Sequence, residues 1–175
     1  MQIHQMQLTY SAEQDRLLLR LSTRDPAEFR FWLTRRCAKL LWRVLVKMVE
    51  QDRALQGQFD PGTRRQVLGI QHEGFVSQGN FSQTFDDNTP RSMPLGETPV
   101  LVTKLQTQKK PDGVQQLSLH PTQGQGIDML LDTRLLHILC KLLRETVAKA
   151  DWDIELQFAQ EHAGEPAEAR PQRLN

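Results

Sequence analysis

Nine residues of this 175-residue chain have the types and spacing that binding chemistry needs. Arg35, Lys39, Arg43 and Lys47 recur every four residues, with Arg36 beside them. Positions four apart are neighbours on a helix surface, so on a helix these four form an unbroken basic stripe. Each like-charge pair costs ~0.2–0.5 kcal/mol rather than stabilising the helix. A stripe of this kind suits phosphate contact, an acidic partner protein or the chain's own acidic end. It also suits a solvated face whose long stems lie over apolar surface. Arg16, Leu18 and Arg20 fall on one strand pattern, beside Glu28, Arg30 and Trp32 on the next. Arginine interleaved with an outward aromatic is the composition of a stacking platform for single-stranded nucleic acid. It is equally the composition of a protein interface hot spot. The candidate binding surface is therefore Arg16, Leu18, Arg20, Arg30, Trp32, Arg35, Lys39, Arg43 and Lys47.

Catalytic constellations are missing from the sequence. His4, His72, His120, His137 and His162 are scattered, with no metal-ligand spacing between them. His72-Glu73 lacks a second histidine four residues after the first, and no phosphate-binding glycine loop, nucleophile elbow or Cys-x-x-Cys occurs. Cys37 and Cys140 sit in apolar helical patterns and read as small core residues of a reducing cytoplasm. Asp86-Asp87 lies in a Ser/Thr/Asn-rich loop, where acidic pairs stabilise turns or face water. These residues point to a non-catalytic protein with no cofactor and no metal.

The candidate residues must be positioned by strands and a helix. Residues 2–10 and 16–23 alternate as strands around a turn at 11–15, with Leu17, Leu19 and Leu21 on one face. Arg24-Asp25-Pro26 is a turn signal, and Glu28–Leu33 alternates again with Phe29, Phe31 and Leu33 inward. The period then changes to 3.6, predicting a helix from about 35 to 54 whose stripe is Cys37, Leu40, Leu41, Val44, Leu45, Met48 and Val49. Thr34 is its N-cap. A second series follows: strands at 100–107, 114–120 and 126–131, then an Asp132-capped helix carrying Leu135, Ile138, Leu139, Leu142, Leu143 and Val147. Trp152, Ile154, Leu156 and Phe158 alternate as a short extra strand.

Sliding the chain by 98 positions without a gap superposes the two series. Leu19, Leu21, Leu33, Arg36, Leu41, Leu45 and Val49 fall on Leu117, Leu119, Leu131, Arg134, Leu139, Leu143 and Val147. Seven identities over residues 17–49 exceed the roughly two or three that composition gives. The expected fold is α+β: two pseudo-repeats of three antiparallel strands followed by a helix, sharing one core because neither alone buries enough surface. Residues 1–55 form the first βββα repeat and 99–158 the second. Residues 56–98 form a linker with a short helical pattern at 63–75 and a mobile loop at 79–96. Residues 159–175 form a disordered acidic tail.

A net charge of +1 conceals an uneven distribution: +4 over residues 1–55, −2 over 56–97, +3 over 98–150 and −4 over 151–175. No stretch reaches the ~18–20 apolar residues of a membrane span, and the first residues lack a secretory pattern. The expected location is cytoplasmic, with no membrane contact. A tandem of three strands and a helix is similar in outline to Pur-alpha-type repeats and Whirly proteins, which bind single-stranded nucleic acid with four strands per unit. The reading that the residues favour is an interaction or assembly protein, using an exposed sheet face and a basic helix to engage a protein partner or itself. Its alternative is a single-stranded nucleic-acid-binding protein using the basic and aromatic outer face of the first sheet.

Overall fold

A computed structural model describes residues 3–51, 74, 85–110 and 114–156. The alternating apolar positions of the first fifty residues produce three antiparallel strands: β1 (Ile3–Ser11), β2 (Arg16–Thr23) and β3 (Glu28–Leu33). Leu17, Leu19, Leu21, Phe31 and Leu33 are all buried on the face where period-two patterning placed them. Asp15 closes the first turn at φ 46°, a left-handed conformation that aspartate tolerates better than most residues. Helix α1 (Arg35–Glu50) begins where Thr34 accepts a hydrogen bond from the Cys37 N–H at 3.2 Å, and Gln51 is its C-cap. Residues 52–54, expected in this helix, lie outside the described residues, as do the tail at 159–175 and all of the 63–75 pattern except Gly74.

The later strands depart from the expected plan. The single strand anticipated at 100–107 is divided into β4 (Val100–Leu101) and β5 (Lys104–Lys109). Between them the backbone changes partner: the Val102 N–H donates to the Trp32 carbonyl at 3.0 Å, and the Thr103 N–H to the His120 carbonyl at 2.9 Å. The first sheet consequently has four strands rather than three, in the order β1-β2-β3-β4, with β4 parallel to β3. Local alternation marks a segment as extended but cannot say which distant edge it joins. Strands β5, β6 (Gln115–His120) and β7 (Ile127–Leu131) make a second, three-stranded antiparallel sheet. Asp132 accepts from the Leu135 N–H at 2.7 Å to start α2 (Thr133–Lys149).

Residues 151–156 are not a strand. Asp151 and Asp153 both adopt φ 51°, which breaks the extended run that alternation suggested, and Phe158 lies outside the described residues. Trp152 is buried instead against the first sheet, its Nε1 donating to Asp15 Oδ1 at 2.6 Å and its ring edge-on to Tyr10 at 5.8 Å. Helices α1 and α2 pack together. Further bonds join the two halves: Gln115 Nε2 donates to the Met48 carbonyl, and Thr146 Oγ1 to the Leu8 carbonyl at 3.2 Å. Cys37 and Cys140 are both free thiols and both buried, so burial pushes them up to about 11 and about 12. No described helix is long and apolar enough to cross a membrane.

Candidate functional site

The strand registers arrange the outer face of the first sheet in rows. Gln5, Ser22 and Glu28 form one row, Gln7, Arg20 and Arg30 the next, and Thr9, Leu18, Trp32 and Leu101 a third; Ser11 and Arg16 pair at the end. The sequence placed Arg16, Leu18, Arg20, Arg30 and Trp32 on this face, and the structure brings them together there. It also shows what lies over the first two rows. Residues 85–92 run across that end of the sheet, anchored where the Glu28 N–H donates to the Ser92 carbonyl and the Ser92 N–H to the Pro26 carbonyl, both at 2.8 Å.

Glu28 is the centre of this covered region. Its side chain is only 4% exposed. Its Oε1 accepts from Arg20 Nε at 2.8 Å and Arg30 Nε at 2.7 Å, while Arg91 Nη1 lies 3.7 Å from Oε2. Burial pushes the Glu28 carboxyl upward, but the hydrogen bonds and charges of Arg20 and Arg30 outweigh it and hold the group below its ordinary range. Arg20 also donates to Gln7 Oε1 at 3.2 Å and to Asp87 Oδ1 at 2.7 Å. Burial works against its charge, but Glu28 and Asp87 reverse that effect and raise its pKa. The guanidinium carbons of Arg20 and Arg91 lie 4.2 and 5.0 Å from the centroid of the buried Phe85 ring. Such cation–π contacts hold the ring against the sheet.

Asp86 and Asp87, expected to stabilise a turn or face water, divide the work. Asp86 Oδ1 accepts from the Asn88 N–H at 2.9 Å and the Thr89 N–H at 3.3 Å. A further bond from the Thr89 hydroxyl helps hold the Asp86 carboxyl below its usual range. Asp87 instead crosses to Arg20. Sequence reading missed Phe85 and Arg91 because more than fifty positions separate them from β2 and β3. One signal was present: Phe85 is the single large apolar residue between Gly79 and Met93 apart from Phe81, in an otherwise polar run.

The third row is partly exposed. Leu18 and Trp32 are half-buried, and Leu101 is 37% exposed. Leu101 was not among the candidate residues, since no local pattern could have placed β4 beside Trp32. Arg35, Lys39, Arg43 and Lys47 are all exposed on α1, opposite its buried Leu41, Leu45 and Met48. The helix packs behind the sheet, so this stripe and the outer sheet face are separate surfaces.

The second sheet carries Gln116, Ser118, His120, Asp128 and Leu130 on its corresponding face. His120 Nε2 lies 3.2 Å from Asp128 Oδ1, and hydrogen bonds from Ser118 and His120 lower the Asp128 pKa. Leu130 is 42% exposed. Among the described residues no group of three or more His, Cys, Asp or Glu side chains could hold a metal ion. Compared with known proteins, the chain matches no family model, and no curated protein or solved structure shows significant similarity to it.

Proposed function

We propose that this chain is a non-catalytic interaction or assembly protein built from two copies of one βββα unit around a common core. Support for the copies comes from register. Leu17 pairs with Leu33, Leu18 with Trp32, Leu19 with Phe31, Arg20 with Arg30 and Leu21 with Phe29. Adding 98 to each number yields five pairs of the second sheet: Gln115–Leu131, Gln116–Leu130, Leu117–Met129, Ser118–Asp128 and Leu119–Ile127. The buried positions Ala38, Leu41, Trp42, Leu45, Met48 and Val49 of α1 likewise fall on buried positions of α2. Support for a common core is that Leu19, Phe31 and Leu45 belong to the same hydrophobic cluster as Leu117, Met129 and Leu143.

The interaction reading rests on the row of Leu18, Trp32 and Leu101, which lies just beyond the cover of residues 85–92. An aromatic flanked by aliphatic side chains on three hydrogen-bonded strands is a rigid anchor of the kind partners bury. A protein partner fits this face better than single-stranded nucleic acid. Arg20 and Arg30 already satisfy Glu28, and Phe85 occupies the stacking position over Arg20. Trp32→Ala tests the reading. The variant should lose self-association in light scattering, or lose partners recovered from its host, while keeping a native circular dichroism spectrum. A parent chain that is strictly monomeric and recovers no partner, yet binds labelled oligonucleotides, would transfer the surface to nucleic acid.

A further inference from the structure

Arg20 is oriented by the first sheet's own strands. Its Nε donates to Glu28 on β3 at 2.8 Å and its Nη1 to Gln7 on β1 at 3.2 Å. Arg30 Nε donates to the same Glu28 oxygen at 2.7 Å and fixes the carboxylate from β3 itself. Two further contacts on this guanidinium come from the strap of residues 85–92. Asp87 Oδ1 accepts from Nη2 at 2.7 Å, and the Phe85 ring lies against the guanidinium with its centroid 4.2 Å from the central carbon. The strap's main chain is recognised as well. Gln5 Oε1 accepts from the Asp86 N–H at 3.2 Å, and the backbones of Pro26 and Glu28 both bond to Ser92. Little of the strap is built into the fold. Phe85 and the Arg91 side chain are buried, whereas Asp87, Asn88, Thr89 and Pro90 are exposed. Its turn is closed from within, by the Asn88 and Thr89 N–H groups on Asp86 Oδ1.

We propose that residues 85–92 are a displaceable internal ligand in a peptide-binding site on the first sheet, and that the partner replacing them is an extended protein segment with an aromatic residue two positions before a carboxylate. This inference rests on the reading of the outer face as an interaction surface and extends it to the two rows beneath the strap. The spacing is that of Phe85 and Asp87. Preorganisation favours the exchange, because a guanidinium already oriented by Gln7 and Glu28 needs no reordering when one carboxylate replaces another. Charge favours an acidic segment. Lifting the strap takes away Asp86, Asp87 and Arg91 and leaves Arg16, Arg20 and Arg30 with Glu28 on that face. A peptide fits better than a nucleic-acid strand, whose backbone offers an anion but no N–H for Gln5. The vacated rows border Leu18, Trp32 and Leu101, so a single bound segment reaches both parts of the face.

Fluorescence anisotropy with a labelled synthetic peptide of residues 85–92 tests the exchange. It compares the full chain with a full-length variant carrying both Phe85→Ala and Asp87→Ala, in which the strap no longer engages Arg20. The variant should bind the peptide roughly tenfold or more tighter than the parent, whose own strap competes for the site. A peptide carrying the same two substitutions should not bind. Equal binding by the two chains, no binding by the variant, or equal binding of the substituted peptide overturns the proposal and leaves the Trp32→Ala test of the third row untouched. Binding of a labelled single-stranded oligonucleotide by the variant in place of the peptide also overturns it, and assigns the covered rows to nucleic acid. The parent alone supplies a second readout that needs no variant to fold. Hydrogen exchange at the Asp86 and Ser92 amides should run roughly a hundredfold or more faster than at the paired interior amides of β2 and β3, because the strap opens while the sheet stays intact. Exchange of the strap amides only with global unfolding overturns the proposal.

Discussion

At corresponding register positions the two sheets spend their outer faces on different tasks. The first sheet pairs Ser22 with Glu28 and surrounds that carboxylate with Arg20, Arg30 and Arg91 beneath Phe85. Ninety-eight positions later stand His120 and Gly126. A Cβ built at Gly126 would collide with the Leu119 carbonyl oxygen, so no larger residue fits without moving backbone. Residues 85–92 cover two rows of the first face, whereas on the second face Ser118 is buried and Leu130 is 42% exposed. Matching inner faces with divergent outer faces are what the proposed repeat predicts. Burial constrains the inner residues, and the outer ones are freer to differ.

The inner faces should give the largest effects. Leu41 and Leu139 are both fully buried at corresponding positions of α1 and α2. Truncating either to alanine should cost ~2–5 kcal/mol, from lost transfer energy plus the cavity left behind. If the halves share one core, each variant lowers a single cooperative melting transition. Two separate transitions, each moved by one variant, would break the equivalence and separate the halves.

Much of this inner pattern is legible from local spacing alone. Alternation at Leu17, Leu19 and Leu21 and the 3.6-residue stripe through Leu41 and Leu45 depend only on neighbours along the sequence. The caps Thr34 and Asp132 are legible for the same reason. The outer site is half legible. Arg20, Arg30 and Trp32 can be assigned to a face, but their partners Phe85, Asp87, Arg91 and Leu101 come from distant segments. Glu28 illustrates the limit: alternation places it outward, correctly, yet the strap makes it one of the buried polar groups.

Breaking that strap-covered cluster should have the next largest effect. Glu28→Gln removes the charge that Arg20 and Arg30 share, leaving partly buried guanidinium groups with a weaker acceptor. A loss of about 1–3 kcal/mol is expected, less than for a deeply buried pair because both arginines reach solvent. The pH dependence follows from the lowered folded-state pKa of Glu28. Its stabilisation is complete above the unfolded carboxylate pKa and is lost as pH falls through the folded value. The parent should therefore lose stability below about pH 5, and Glu28→Gln should lose less over that range. Thermal melts of both proteins at neutral and acid pH supply the comparison. Parallel pH profiles would show that the acid sensitivity resides elsewhere, with Asp86 or Asp128 as the groups to replace next.

The helices provide the smallest and most discriminating contrast. Arg35, Lys39, Arg43 and Lys47 of α1 correspond to Thr133, His137, Lys141 and Glu145 of α2. On α2, His137 is buried and Lys141 lies 3.6 Å from Glu145, a favourable pair four residues apart. On α1 the corresponding face is exposed and uniformly basic, and local energetics do not favour that arrangement. Lys39→Glu converts two like-charge neighbours, Arg35 and Arg43, into attractive ones. If the stripe is only a solvated face, the variant should gain ~0.4–1 kcal/mol and behave otherwise as the parent. If the stripe binds an anionic partner, the same variant should still gain stability but elute earlier from heparin at low salt. That second difference should fade as salt rises, because screening removes the attraction while the apolar contacts persist. A stability gain with unchanged elution would assign the stripe to solvent and leave the row of Leu18, Trp32 and Leu101 as the proposed interaction surface.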